Sequence, residues 1–205
     1  MHKTLLATLG LIASVALTPA SAASGTLLDF MSYHLSVDGP NNGYGYNDGG
    51  NDLNDGVMDV QVGGGYAAWS PYVLWDGVSP TITFDLDSVQ QVGRIDAHFL
   101  TYPNAAVTLP LSVTVRYSND GITFSAAQQV ATYDGIAPLT NDTPVTLSLL
   151  TPGSGRFVEL TLQTPGRWIA LSEVQLISAV PEPASAALML LGGAGVLLAS
   201  RRRRG

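Results

Sequence analysis

Leu111-Ser112-Val113-Thr114-Val115-Arg116-Tyr117-Ser118-Asn119-Asp120-Gly121-Ile122-Thr123-Phe124 decides the fold class. Leu111, Val113, Val115 and Tyr117 alternate with polar Ser112, Thr114 and Arg116. A period of two is the signature of a strand with one buried face. The run then meets Ser-Asn-Asp-Gly, a tight-turn sequence. Asp and Asn bond to their own backbone there, and glycine accepts positive φ. The stretch is therefore a strand that stops on a turn.

The same pattern repeats on both sides. Ile82, Phe84 and Leu86 share one face of Thr81–Leu86, and Ile95, Ala97 and Phe99 make a comparable set. Val145, Leu147 and Leu149 form another set. Val158, Leu160 and Leu162 follow, with Glu159 and Thr161 facing out, and Val174 and Leu176 close a last strand. Tyr133-Asp134-Gly135 and Thr151-Pro152-Gly153-Ser154-Gly155 read as turns between them. No helical stripe runs through residues 23–178. Many short alternating strands with such turns predict an all-β, antiparallel sandwich or barrel. Residues 26–60 carry little periodicity and read as a first strand near Thr26–Ser36, followed by long ordered loops.

Composition narrows the function. The chain has 205 residues, no cysteine and only 12% charged residues. That excludes a disulfide framework, a thiolate metal site and a cysteine nucleophile. Between residues 23 and 179, four arginines face fifteen carboxylates, a net of −11. Nucleic-acid affinity depends on Lys and Arg at phosphates, so nucleic acid is not an expected partner. Cations and neutral ligands suit such a surface better.

Both ends read as addresses. Lys3, the apolar run Leu5–Leu17, Pro19 and the small-residue site Ala20-Ser21-Ala22 make residues 1–22 a secretory signal peptide with a short signal helix. The mature chain is expected to start near Ala23. At the other end, Val180-Pro181-Glu182-Pro183 precedes seventeen uncharged residues, Ala184–Ser200, and then Arg201, Arg202, Arg203 and Arg204. As a helix the apolar stretch reaches roughly 26 Å at about 1.5 Å per residue, the short end of a bilayer core. It reads as a C-terminal transmembrane helix, with the arginines cytoplasmic and the domain outside. A plain tail anchor has the same physical outline.

Residues 179–205 closely resemble the PEP-CTERM sorting signal of Gram-negative bacteria, because the three elements stand in order at the terminus. The resemblance implies export through the secretion machinery and an inner-membrane intermediate. It further implies recognition by an exosortase, processing near Pro181–Pro183, and delivery to the cell surface or extracellular matrix of an exopolysaccharide-making cell.

The middle, residues 23–178, resembles a discoidin-like domain (factor V/VIII type C, galactose-binding-like). Four segments carry this: Leu53-Asn54-Asp55-Gly56, Ile82-Thr83-Phe84-Asp85-Leu86, Val113–Phe124, and Gly155-Arg156-Phe157-Val158-Glu159-Leu160 followed by Trp168–Leu176 with its Ser172-Glu173-Val174. The resemblance implies an eight-stranded jelly-roll sandwich. It also implies carbohydrate binding by loops at one end, and a calcium ion that fixes loops.

Asp48, Asp52, Asp55 and Asp59 fall within twelve residues, interleaved with Asn47, Asn51 and Asn54. Calcium takes six to eight hard oxygen donors, which a glycine-broken loop can present. By the resemblance, Asp55 and Glu173 are the best ligands, Asp59 a weaker third and Asp48 weaker still. The alternative is a solvated loop of Asx turns without an ion.

Sugar recognition needs a few placed polar groups and an aromatic face. The candidates are Tyr44, Tyr46, Trp69, His98, Tyr102 and Asn104, with Tyr66, Tyr72, Trp75 and Arg156 as further loop residues. Against this, tryptophans in a sandwich often pack in the core, and Arg156 would also serve as a clamp on a carboxylate. His98 lies opposite Ile95, Ala97 and Phe99 and is expected to be exposed. No Gly-x-Ser-x-Gly elbow, His-Glu-x-x-His motif or Walker loop is present, so an enzyme is not expected. Three functions remain: a glycan-binding module, a structural matrix or adhesion protein, and, least supported, a glycoside hydrolase.

Overall fold

The computed structural model describes residues 25–30, 32–40, 46–63, 69–132 and 139–180. The expected signal and transmembrane helices, the sorting motif beyond Val180, Tyr44, Tyr66 and the Tyr133-Asp134-Gly135 turn lie outside them. Among the described residues no helix is long and apolar enough to cross a membrane.

Eight antiparallel strands form the domain: β1 (Leu27–Leu28), β2 (Ser32–Leu35), β3 (Val73–Asp76), β4 (Thr81–Thr101), β5 (Ser112–Ser118), β6 (Gln128–Thr132), β7 (Thr143–Gln163) and β8 (Trp168–Ser178). The order is β1-β8-β4-β7-β5-β6, with β2 on β4 and β3 on β8. β4 and β7 each contain 21 residues and bend, so each serves two layers. In the first layer, Thr81–Asp85 pairs with Phe157–Thr161 and is joined by β2, β5 and β6. In the second, Gln90–Thr101 pairs with Thr143–Gly155 and with β8, which carries β1 and β3.

Two expected strand pairs are therefore continuous strands. The segments 81–86 and 95–99 join through a bend at residues 86–90, where Asp87 takes φ 65°. The expected turn at 151–155 is likewise the bend of β7. Gly153 and Gly155 stay paired with β4 inside the bend, and the register shifts on either side of them. The predicted first strand is two short strands, β1 and β2, on different partners.

The inward faces meet in one core. Ile82, Phe84, Val113, Val115, Val158 and Leu160 come from the first layer. Ile95, Ala97, Phe99, Leu149, Leu171, Val174 and Leu176 come from the second. Most belong to the alternating sets expected from the sequence and are fully buried, whereas Leu111 of those sets is exposed and Val145 and Leu147 are only half-buried. Trp75 belongs here too, on β3, donating Nε1–H to the Val37 carbonyl at 2.8 Å. It is a core residue, not a ligand residue.

The Ser118–Phe124 turn is stapled from within. Asp120 accepts from the Thr123 and Ile122 amides and from the Ser118 hydroxyl, which hold its carboxyl down at about 2. Behind it, Tyr117 points its hydroxyl at Thr151, donating to that carbonyl at 2.5 Å. Gly153 lies against the Tyr117 ring so closely that a Cβ would overlap it. Gly153→Ala is therefore expected to cost about 1–3 kcal/mol, the usual penalty for overpacking. Urea unfolding would read this as a lower midpoint at unchanged slope.

On the outer faces, Arg156 forks onto Asp85 with two 2.8 Å bonds and lies over the Phe157 ring. It clamps the first layer and does not accompany the loop aromatics. Glu159, expected to face out, does so but is largely covered by Arg116, whose Nε donates to it at 2.6 Å.

Candidate functional site

Two places carry the residues singled out in the sequence. The first lies where the loop of residues 46–63 crosses the outer face of the second layer. A bulge in β8 builds it: His98 pairs with Glu173 but Phe99 pairs with Leu171, so Ser172 is the extra residue. The bulge reverses the alternation. Leu171 and Val174 both face the core, and Glu173 turns outward beside His98.

Glu173 is only 4% exposed, because the loop covers it. The Gly56 amide donates to its Oε2 at 3.1 Å. The adjoining Val174 amide donates to the Leu53 carbonyl at 3.1 Å, which fixes the loop to the strand. Burial raises the Glu173 pKa, and the Asp55 charge raises it further, against the Gly56 amide and His98. The structure thus brings Asp55 and Glu173 together from positions 118 residues apart. Asp55 also accepts from the Val57 amide at 2.7 Å.

The other two candidate ligands go elsewhere. Asp59, at φ 58°, lies 3.3 Å from His98 Nδ1 through its Oδ1. Asp48 Oδ1 accepts from the Tyr33 hydroxyl (2.7 Å) and from the Gly50 and Asp52 amides. That carboxylate is a loop staple. Among the described residues no three His, Cys, Asp or Glu side chains group as a metal site, so side chains supply only the Asp55–Glu173 pair.

His98 belongs to this place. It is 6% exposed, contrary to the expectation of an open position. The loop from Asp55 to Asp59 covers it, which a strand pattern cannot show. Its Nδ1 also lies 3.1 Å from Thr146 Oγ1, and its Nε2 is buried without a hydrogen-bond partner.

The second place is the far end of β4 and β8. Here Tyr46, Trp69, Tyr102 and Trp168 gather. Tyr46 and Trp168 are 5.7 Å apart between ring centroids, Tyr46 and Trp69 6.4 Å, and Trp69 and Tyr102 5.8 Å. They sit on a second buried cluster with Tyr72, Leu74, Leu100, Val107 and Ala170. Tyr46 and Trp69 are buried and cannot offer a ring face, which corrects their reading as contact residues. Tyr72 is fully buried; its hydroxyl donates to the Val60 carbonyl at 2.5 Å, and burial pushes its pKa up to about 12.

Tyr102 and Trp168 are half-exposed. A single 3-10 turn, Pro103–Ala105, follows Tyr102, and Ala106 in the left-handed region closes it. That turn exposes Asn104, whose backbone N–H donates to Asn141 Oδ1 at 2.9 Å. Trp168 was not singled out in the sequence. Its cue is position: it opens β8, the strand that pairs with the end of β4.

With this geometry in view, the family comparison is direct. The F5/8 type C domain model matches residues 38–174. The chain belongs to the F5/8 type C family. As in the sequence reading, its discoidin-like domain carries a PEP-CTERM protein-sorting motif, matched at residues 179–204. That motif marks an exported protein sorted to the cell envelope or surface. No curated protein matches the chain significantly.

Solved structures resemble this F5/8 type C domain at low identity. The C-terminal domain of a chitobiase from Bacteroides fragilis is 12% identical with a TM-score of 0.50, covering 77% of this chain and 100% of its own. The CBM32 of AlyQ, in complex with 4,5-unsaturated mannuronic acid, is 16% identical with a TM-score of 0.48, covering 75% and 99%. A chitosan-binding module from a Paenibacillus chitosanase/glucanase is 18% identical with a TM-score of 0.44, covering 72% and 94%.

Proposed function

We propose that this exported F5/8 type C protein binds an extracellular polysaccharide at the aromatic end of its sandwich. Calcium on the Asp55–Glu173 pair would hold the covering loop. An exosortase would process the sorting motif and deliver the domain to the cell surface or matrix. One observation carries the binding reading: Tyr102 and Trp168, half-exposed on a buried aromatic base, stand beside the exposed amide side chains of Asn104 and Asn141. A rigid ring face with amides at its edge suits the apolar and hydroxyl sides of a sugar.

Calcium fits the donor chemistry. Asp55 and Glu173 are hard oxygen donors, and the loop between Leu53 and Asp59 could add backbone carbonyls to reach six or more. Asp59 would join only by leaving His98, and Asp48 is held by its own loop. The ion would cancel two like charges, one of them buried, and so fix the loop to β8.

A glycan array in calcium and then in chelator tests the proposal. The expected result is retention of a polysaccharide class in calcium and weaker retention in chelator. No saccharide retained under either condition would overturn it. Retention of cationic chitosan alone, lost in salt, would report the net charge of −11 over residues 23–179 and not a site. The burial of Tyr46 and Trp69 favours the second reading, a structural matrix protein without a sugar site.

A further inference from the structure

Leu27, Ile177, Arg94 and Leu150 stand in one row across β1, β8, β4 and β7, each the backbone partner of the next. Their chain neighbours Leu28, Leu176, Ile95 and Leu149 face the core, so this row lies on the outer face of the second layer. Leu150 is 75% exposed and Leu27 52%. Arg94 lies between them, 2.9 Å from Asp96. The two leucines stand at the ends of the row, with the Arg94–Asp96 pair and the largely buried Ile177 between them.

The chain leaves the domain beside this row. Ser178 donates to the Thr26 carbonyl and Ala179 to the Gln91 carbonyl, both at 2.8 Å. The uncharged segment starts at Ala184, four residues after Val180. Four residues span at most about 14 Å. The polar headgroup layer alone takes about 5–8 Å of that on each side of the bilayer core.

We propose that, before processing, the domain docks on the lipid leaflet through this row. Leu27 and Leu150 meet the headgroup–acyl boundary and Arg94 faces lipid phosphate, the arrangement of an interfacial surface. The inference rests on the reading of residues 184–200 as a membrane span. The tether supplies the effective concentration that an acidic domain with few apolar contacts lacks. Cutting it at the sorting motif therefore releases the domain. The aromatic end stands apart from the row, since Thr101 lies seven residues beyond Arg94 on β4, roughly 23 Å at strand rise.

The chain has no cysteine, so single labels are unambiguous. The full chain, carrying Leu27→Cys, Leu150→Cys, Asn104→Cys or Ile122→Cys with an environment-sensitive dye, is reconstituted into phosphatidylethanolamine–phosphatidylglycerol vesicles with brominated acyl chains. Loss of most fluorescence at 27 and 150, with none at 104 or at the apolar, 85% exposed position 122, supports docking. Equal loss at all four positions, or none at any, overturns it. Self-quenching between copies without a bromine effect also overturns it and makes a second copy the occupant. A chain that fails to float with vesicles removes the membrane-span reading and the docking with it. Flotation without selective quenching removes the docking alone. Leu150→Asp should restore fluorescence at position 27, and unchanged quenching there counts against the row.

Discussion

Millimolar calcium is expected to raise the melting temperature of the domain by about 5–10 °C, the shift that about 2.7 kcal/mol of binding produces at a hundredfold excess over Kd in a domain of this size. Asp55→Asn and Glu173→Gln should each remove most of that shift. The metal-free behaviour separates a ligand role from a merely structural one. Burial, and then the Asp55 charge, raises the Glu173 pKa above its ordinary value. An acid with a raised folded-state pKa favours the fold most when protonated, so its contribution is full at low pH and is lost as pH rises through the raised value. At neutral pH the unliganded domain therefore carries an unfavourable carboxylate, and Glu173→Gln should melt no lower than the parent without calcium. Asp48→Asn should do the opposite. It weakens a staple that accepts from the Tyr33 hydroxyl and two amides, lowering the metal-free melting point but keeping the calcium shift. Differential scanning calorimetry in calcium and in chelator reads all four proteins. An unchanged melting curve for the parent at millimolar calcium would remove the Asp55–Glu173 pair as a metal site.

The inward residues were legible because burial of one strand face imposes a period of two, and Val113, Phe84, Leu160 and Leu176 obey it. The turn at Ser118–Gly121 was legible because Asp120 bonds within its own loop. Continuity was not. The Asp85–Gln90 and Thr151–Gly155 segments carry turn residues, yet β4 pairs with β7 again past both bends, with a shift of register at each. Glycine permits a sharp bend inside a ladder as readily as an end to it. The meeting of Asp55 with Glu173 came from family resemblance alone. The physical cause is the Ser172 bulge, whose parity change is invisible in a strand that reads Ile-Ala-Leu-Ser-Glu-Val. The burial of His98 escapes a strand pattern for a related reason. Its strand face was read correctly as the outer one, but a loop forty residues upstream covers that face. Tyr46 and Trp69 failed the same way: a loop position does not imply exposure when the loop folds onto a sheet.

Trp69→Ala and Tyr102→Ala should part company, and the contrast bears directly on the binding proposal. Trp69 is 5% exposed, edge-on to Tyr46, and its carbonyl accepts from the Tyr72 amide at 2.8 Å. Truncating it removes a buried ring and leaves a cavity, expected to cost about 3–5 kcal/mol, a large part of a typical domain's stability of about 5–15 kcal/mol. Tyr102 is half-exposed, so Tyr102→Ala should shift the melting point little. Its ring nevertheless forms the accessible part of the aromatic end, as does that of Trp168. Loss of a central aromatic anchor costs about 2 kcal/mol or more, which is roughly thirtyfold or more in affinity. Affinity electrophoresis through gels of alginate, pectin or chitosan, run in calcium, measures it on folded protein. Retardation lost in Tyr102→Ala and Trp168→Ala, with melting points near the parent's, is the expected pattern. Full retardation in both would show that the aromatic end meets no sugar. The buried base would then act only as packing that holds the ends of β4 and β8 together.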